Sequence, residues 1–518
     1  MKWISTPDAI RRADQYAIHE LKVPGILLME AAARKVCKRL KSLCTKEDDI
    51  LFLCGSGGNG GDGFAAARMM KSAGYQVRVL FAGDKDRMTE DARINYEMLN
   101  GYQISVLSIA QASAFNHLIS ESEWVVDALF GTGLDREIQG LNAQIITSVN
   151  DQHRKGVFKV LSIDIPSGIQ GDTGNIMGCA IEADETVSFC RWKPGLLLYP
   201  GKDHAGHVTI ENIGIPESIP PLSESKDFML EAQDVAWLLP QRKSRSHKGL
   251  YGHLTVMAGS RNMSGAAILS SASAYRVGTG LVEALVPEDI RPAFQTQLTE
   301  AILTTYDPSK GISSDELRGL LKKSTAVMAG PGLSTEGYAM NLLKRLVEIL
   351  PSDTPLVLDA DALNLLSQDE ELKEMIQNRR GNTILTPHLG EASRLIGWSV
   401  GEIMEDPIGA AKLLSHTYRS IVVLKDAMTL VSEPEGRMFY NTTGNNSMST
   451  AGSGDVLAGM IGGLVAQGMR AFEAACCGVY LHGAAGDLAK NAKGAYAMTA
   501  SDILEHIYIE KICRMKDE

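Results

Sequence analysis

Four apolar residues, Ile50 to Leu53, run directly into Cys54-Gly55-Ser56-Gly57-Gly58-Asn59-Gly60-Gly61-Asp62-Gly63, and the stretch Phe64 to Ala73 that follows has a helical pattern. Glycine at this density suits a backbone that turns tightly or lies against another group, so the segment predicts strand, glycine-rich loop, helix. That arrangement binds a phosphate or a dinucleotide at the carboxyl end of a parallel sheet. The run has no G-x-G-x-x-G at the usual place with an acidic residue on the next strand, and it has no Gly-Lys-Ser/Thr of a P-loop. An ordinary Rossmann dehydrogenase or P-loop NTPase is therefore disfavoured.

The same alternation extends along the chain. Thr6 and Pro7 predict a helix N-cap and first turn, with Ile10, Ala13 and Ala17 on one face, and a second helix spans about Ile26 to Leu43. Strands are expected at Ile50 to Cys54, Gln76 to Phe81, Trp124 to Leu129, Val157 to Ile163, Glu185 to Phe189 and His207 to Glu211. The fold class is α/β, with a Rossmann-like doubly wound sheet. Ile215 to Lys226, with Pro216, Pro220 and Pro221, breaks the alternation and reads as a linker. A second α/β series has strands at His253 to Ala258, Leu281 to Val286, Ala326 to Ala329, Pro355 to Leu358, Asn382 to Leu385, Ile421 to Leu424 and Thr429 to Ser432. With 518 residues the chain exceeds what one core usually covers, so two domains are expected, 1–218 and 226–518.

Composition narrows the partners. A net charge of -11, with one short basic cluster at Arg242, Lys243, Arg245, His247 and Lys248, argues against nucleic acid or an anionic membrane. The eight cysteines show no C-x-x-C spacing, which predicts neither a disulfide framework nor a zinc site. The opening residues have no positive segment followed by an apolar core, and no stretch approaches the roughly 20 apolar residues that span a bilayer. A cytoplasmic protein is the expectation.

In the first half three polar turns follow three expected strands and so share one sheet edge. They are the Asn59 turn, the run Val126-Asp127-Ala128-Leu129-Phe130-Gly131-Thr132-Gly133-Leu134, and Ser162-Ile163-Asp164-Ile165-Pro166-Ser167-Gly168. Asn59, Asp127 and Ser167 carry oxygen and at most one charge among them, which suits a monovalent cation better than magnesium or calcium. Asp164 is left as an acid/base candidate.

In the second half, Ser449-Thr450-Ala451-Gly452-Ser453-Gly454-Asp455-Val456-Leu457 precedes a small-residue helix pattern, Ala458 to Gly468. Backbone N–H groups at Gly452 and Gly454, with the positive end of the helix dipole, form an anion hole, and Asp455 sits at its mouth as a base. Gly259, Gly330 and Gly332 offer close backbone approach. His388, in Thr386-Pro387-His388-Leu389-Gly390-Glu391, precedes a helix and is expected to touch ligand, while Lys425-Asp426-Ala427-Met428-Thr429 lies between two short strands as a hairpin. Asp359, Asp361 and Asn364 are expected to cap the following helix, with a magnesium role as the alternative.

These motifs, in this order and across nearly the whole chain, resemble the bifunctional NAD(P)H-hydrate repair enzyme family. Cys54 to Gly63, Val126 to Leu134, Asp164 to Ser167 and Lys193-Pro194-Gly195-Leu196 resemble its NAD(P)H-hydrate epimerase domain. Lys248-Gly249 through Ala266, Pro387 to Glu391 and Ala451 to Gly459 resemble its ADP/ATP-dependent NAD(P)H-hydrate dehydratase domain, which is ribokinase-like. The resemblance implies substrate contacts at Gly58, Asn59, Gly60, Gly61, Asp62, Gly131, Thr132, Gly133, Leu134, Asp135, Arg136, Glu137 and Asp164, and potassium at Asn59, Asp127 and Ser167. It implies substrate contacts at Ala266, Gly332, His388 and Asp455, nucleotide contacts at Lys425, Asp426, Ala427, Met428, Thr429 and Gly454, and magnesium with ADP or ATP. Asp455 and Asp164 are the implied catalytic residues, the hydrates of NADH and NADPH the substrates, and a homo-oligomer the expected assembly. Two departures stand out: Gly58 replaces a common Asn, and Ala31 follows Glu30 where the family often has Asn. The rivals are a ribokinase-like small-alcohol kinase, which uses the same Gly-Asp hole, and a first half that serves only as an interaction module.

Overall fold

The computed structural model describes residues 1–108, 112–379 and 383–514, and the chain divides into two compact units, Lys2–Lys226 and Asp227–Glu518. The seven-stranded sheet of the first unit contains β1 (Asp49–Cys54), β2 (Gln76–Phe81), β3 (Val106–Ser108), β4 (Trp124–Ala128), β5 (Lys159–Ile163), β6 (Glu185–Phe189) and β7 (His207–Glu211). They form a parallel sheet in the order β3-β2-β1-β4-β5-β6-β7. Strand β1 lies inside the sheet and is buried from Ile50 to Cys54, as a parallel strand covered on both faces must be. The chain reverses between β1 and β4, and the loops that follow these two neighbours open a crevice at their carboxyl ends.

The glycine-rich segment differs from the loop expected there. Helix Gly58–Ser72 begins inside it, so Gly58 to Gly63 form its first turns. The glycines are there for clearance: a Cβ on Gly60 would lie 1.9 Å from the carbonyl oxygen of Gly55, and one on Gly63 would lie 2.7 Å from Cys54 Sγ. The expected linker is also more ordered than its prolines suggest. Pro220–Ser223 is helical, Ile215, Ile219 and Leu222 are buried, and Arg191 donates to the carbonyls of Glu217 and Leu222.

The second unit contains β8 (Asp227–Met229), β9 (His253–Met257), β10 (Leu281–Pro287), β11 (Ile302–Tyr306), β12 (Ala326–Ala329), β13 (Leu356–Leu358), β14 (Thr383–Leu385), β15 (Ile421–Leu424), β16 (Leu430–Ser432) and β17 (Met438–Tyr440). Their order is β8-β17-β16-β15-β14-β13-β12-β9-β10-β11, parallel from β11 to β15, with antiparallel β15-β16 and β16-β17 pairs. Asn382, the expected start of β14, lies outside the described residues. Helix Ser453–Ala466 needs its glycines: Cβ atoms on Gly459 or Gly463 would lie 2.1 Å from Ser270 O or 2.6 Å from Thr279 Oγ1. Small residues bring this helix against Ser264–Arg276 and fix where its N-terminus emerges.

A stability contrast follows from these clearances. Gly60→Ala sets a methyl against backbone that no rotamer change relieves, and thermal or urea unfolding should show a loss of about 1–3 kcal/mol. Gly58, where an added Cβ meets nothing within 4 Å, should accept Ala within about 0.5 kcal/mol. Equal effects at the two positions would refute the close-approach account.

Two candidate active sites

In the first unit the turns after β1, β4 and β5 border a cavity of about 1000 Å³. Gly58, Asn59, Asp62, Gly131, Thr132, Gly133, Leu134, Asp135, Arg136 and Asp164 all line it. Gly60, Gly61 and Glu137 do not: the two glycines are buried in the helix start and Glu137 is exposed.

Asp127, next to last in β4, is fully buried. Its carboxylate accepts from Ser162 Oγ at 2.8 Å, Ser167 N at 2.8 Å, Leu129 N at 3.3 Å and the Ser167 hydroxyl. Burial pushes this carboxyl up, and the four hydrogen bonds pull it back toward the ionised form. Phe130 N donates to Ser167 Oγ at 2.8 Å, and Asn59 Nδ2 donates to Phe130 O at 3.0 Å. Asn59 Oδ1 is buried without a hydrogen-bond partner. An orphaned amide oxygen beside a carbonyl, a hydroxyl and a buried carboxylate is a donor set for a hard cation of low charge.

Asp164 follows β5 directly in a left-handed conformation, φ 69°, which is strained for a residue with a Cβ. Its carboxylate takes no part in capping the Pro166–Gly168 turn. It lies 2.8 Å from the Nζ of Lys193, which is fully buried, and accepts from Ser188 Oγ at 3.4 Å. Lys193 was legible only as part of a motif. Asp14, on helix Pro7–His19, also lines the cavity and escaped the sequence reading. Its signal was a carboxylate one turn from Ile10 and one turn from Ile18 on an otherwise apolar stripe.

In the second unit helix Ser453–Ala466 starts at Gly452, whose φ of 88° requires glycine, and no side chain caps the opening N–H groups. Asp455 lies in the first turn. Burial, then the charges of Asp359 and Asp361, raise its carboxyl to about 7, and Lys425 opposes them. Lys425 Nζ is 2.7 Å from Asp359 Oδ1, which also accepts from Thr386 Oγ1 at 2.7 Å. A Cβ on Gly454 would sit 3.4 Å from Lys425 Nζ, so the hole and the lysine are adjacent. Burial works against the Lys425 charge, but Asp359 and Glu391 leave it raised overall.

Residues 425–429 form the turn between antiparallel β15 and β16, with Asp426 and Ala427 exposed and Met428 buried. His388 is bridged to Lys425 by backbone, Lys425 N donating to Pro387 O at 2.8 Å. His388 Nδ1 accepts from the N–H groups of Gly390 and Glu391, capping the helix Leu389–Ile396. Burial and the Lys425 charge lower its pKa, which favours a neutral ring with its proton on Nε2, 3.3 Å from Glu391 Oε1. Ala266 and Gly332 also meet: a Cβ on Gly332 would be 2.9 Å from that of Ala266.

The capping role expected of Asp359, Asp361 and Asn364 is not observed. The N-cap of helix Asp361–Leu366 is Ala360, at φ 50°, without a side-chain cap. Asp359 is spent on Lys425, Asp361 accepts from Ser334 N at 2.8 Å, and Asn364 Oδ1 accepts from Arg394. The local reading failed because the partners, Lys425, Ser334 and Arg394, lie on other turns, loops and helices far along the chain.

A family model described as NAD(P)H-hydrate dehydratase matches residues 254–508, and one described as YjeF-related protein N-terminus matches residues 26–195. A bifunctional NAD(P)H-hydrate repair enzyme Nnr from Moorella thermoacetica is 35% identical over 517 residues, covering 98% of this chain and 96% of its own. The enzyme of the same name from Thermofilum pendens is 35% identical over 505 residues, covering 96% and 94%. Among solved structures, a ribokinase-like superfamily protein from Enterococcus faecalis V583 is 26% identical with a TM-score of 0.50, covering 55% of this chain and 96% of that one. Similarity of this extent runs through both units, and the chain belongs to the family of bifunctional NAD(P)H-hydrate repair enzymes.

Proposed function

We infer that the chain restores hydrated NADH and NADPH: the first unit interconverts the R and S hydrates, and the second removes water from the S hydrate at the expense of ADP or ATP. The observation that carries the second step is Asp455, a carboxyl raised to about 7 at the mouth of an uncapped helix N-terminus. The substrate hydroxyl is a poor leaving group, and transfer of a phosphoryl group to it makes departure easy. Asp455 takes the hydroxyl proton as the oxygen attacks, and the N–H groups of Gly452 to Gly454 with Lys425 stabilise charge on the transferring group. Elimination, pushed by the ring nitrogen, restores the dihydropyridine. Support for the nucleotide comes from the 425–429 turn beside the hole, exposed at Asp426 and Ala427, with Lys425 at its base.

Magnesium arrives with the nucleotide, where it neutralises phosphate charge. Potassium fits the Asn59, Asp127, Ser167 and Phe130 oxygens of the first unit, where Asn59 Oδ1 lacks any other partner. Bound there, its charge would offset the burial of Asp127 and would tie together the loops that border the cavity. No helix among the described residues is long and apolar enough to cross a membrane. The enzyme is taken to act in the cytoplasm as a homo-oligomer, an assembly state that sedimentation tests.

Asp455→Asn should lower dehydration of the S hydrate by about two to four powers of ten, the usual weight of a general base. The base works ionised, so the parent's kcat/KM should rise with pH through about 7 and level above it, a limb absent from the variant. Recovery of dihydropyridine absorbance is the readout, and a stable phosphomonoester in its place would favour the kinase rival. Because the carboxyl ionises near 3.8 when unfolded and near 7 when folded, stability is lost as pH rises between those two values, and the loss stays constant above about 7. The melting temperature of Asp455→Asn should therefore equal or exceed the parent's at pH 8.

Potassium binding is tested without activity. Thermal unfolding of the parent should shift upward in potassium relative to choline at equal ionic strength, since a ligand of the folded state stabilises by mass action. Asp127→Asn should abolish the shift. An identical potassium response in that variant would remove the site from these residues.

A further inference from the structure

Asp14 belongs to a helix that the sequence anchors firmly: Thr6 caps it, Pro7 opens it, and Ala13 and Ala17 are buried beneath it. Its carboxyl, with Ile10 and Ile18 one turn to either side, lines the cavity of the first unit. The charged and titratable groups around it are Arg11 on its own helix, Asp62 on helix Gly58–Ser72, Asp164 after β5, and Cys190 and Lys193 after β6. Lys193 has three donors, and all are used, on Asp164 at 2.8 Å, Ser188 Oγ at 2.7 Å and Phe189 O at 3.2 Å. None remains for Asp14. The Cys190 thiol is pushed up to about 12 by burial, then by Asp14, and stays neutral. Among the carboxyls that line this cavity, two from separate elements have opposite endowments: Asp164 is ion-paired, and Asp14 has no hydrogen bond from a lysine. Burial, then the negative charge of Asp164, raise the Asp14 carboxyl to about 6, with the Lys193 charge opposing them at a distance.

We propose that Asp14 is the acid and Asp164 the base of the epimerisation, a division of labour between two carboxyls of one cavity. The proposal rests on the epimerase function inferred for the first unit. The inverted carbon bears both the hydroxyl and the ring nitrogen. Asp14 gives its proton to the hydroxyl as the C–O bond breaks, the nitrogen lone pair forms a C=N bond, and water leaves. A water molecule adds to the other face of that carbon, the C=N electrons return to nitrogen, and Asp164 accepts the proton that the entering water sheds. One water leaves, one enters, and one proton moves from Asp14 to Asp164. The reverse epimerisation starts from that proton distribution with the roles exchanged. Environments that separate the proton affinities of two carboxyls are how a single cavity holds an acid and a base together.

The test uses the full chain, pure R hydrate and no nucleotide, with R to S conversion followed by chromatography. Asp14→Asn should cut kcat by about two to four powers of ten with KM nearly unchanged, while Asp14→Glu recovers part of the rate. Asp14 works protonated, so the parent's kcat/KM should fall as pH climbs past about 6, and that limb should vanish in Asp14→Asn. In oxygen-18 water the S hydrate formed by the parent should carry solvent oxygen at each inversion. A melting temperature and a potassium shift like the parent's identify a folded variant. Parent-like kcat in folded Asp14→Asn, or inversion without oxygen exchange, overturns the proposal while leaving the epimerase function in place. A parent chain that does not speed R to S conversion overturns that function and the proposal with it.

Discussion

Lys193 and Lys425 each carry an ammonium into the interior of a unit, where an unpaired charge costs several kcal/mol, and each is held by the carboxylate that directly follows a parallel strand. Asp164 comes after Ile163 and meets Lys193 at 2.8 Å; Asp359 comes after Leu358 and meets Lys425 at 2.7 Å. Each pair occupies the cation, so the next carboxyl faces a negative charge in a poorly solvated place. That carboxyl is Asp14 in one unit, raised to about 6, and Asp455 in the other, raised to about 7. Two unrelated sheets thus arrive at one arrangement: burial raises an acid toward neutral pH, the carboxylate of a neighbouring ion pair adds to the rise, and that pair's lysine opposes it.

Backbone clearance does the rest. Both sites lie at helix starts, and both helices run unusually close to their neighbours. Gly60 and Gly63 let helix Gly58–Ser72 lie on the loop after β1, and Gly459 and Gly463 let helix Ser453–Ala466 lie against Ser270 and Thr279. Any side chain at these points would lift the helix and carry its N-terminal amides away from the strand ends. Strain collects in the same region, with Asp164 and Ala360 at positive φ beside the carboxylates they position.

Much of this was legible. Central parallel strands read clearly because burial on both faces gives unbroken apolar runs such as Ile50 to Leu53, and Thr6-Pro7 marked its helix to the residue. Strands Val106–Ser108, Asp227–Met229, Ile302–Tyr306 and Met438–Tyr440 were not read, being short or lying on an edge with polar residues such as Thr304 and Thr305. The loops around Asn59, Asp127 and Ser167 were legible because glycine and oxygen-bearing residues follow strands. Asp14 was not, since a lone carboxylate on an amphipathic helix looks like surface until the cavity beside it is known. Asp359 misled for a related reason. An acidic residue before a helix resembles a cap, and its true partner, Lys425, lies 66 positions away in sequence.

The two sites differ in a way that fits their stereochemical tasks. A site that transfers a group to one hydroxyl needs a single base at a fixed point; the base proposed for it, Asp455, is held in the first turn of its helix, with the helix N-terminus and Lys425 nearby. Such a site is selective for the epimer whose hydroxyl reaches it. An epimerase must instead tolerate the hydroxyl on either face of one ring, which a lone carboxyl cannot serve equally well. A cavity of about 1000 Å³ with carboxyls from several elements gives both faces a proton donor or acceptor. Selectivity in the second unit therefore creates the need that the breadth of the first unit meets, a physical reason for both to reside in one chain.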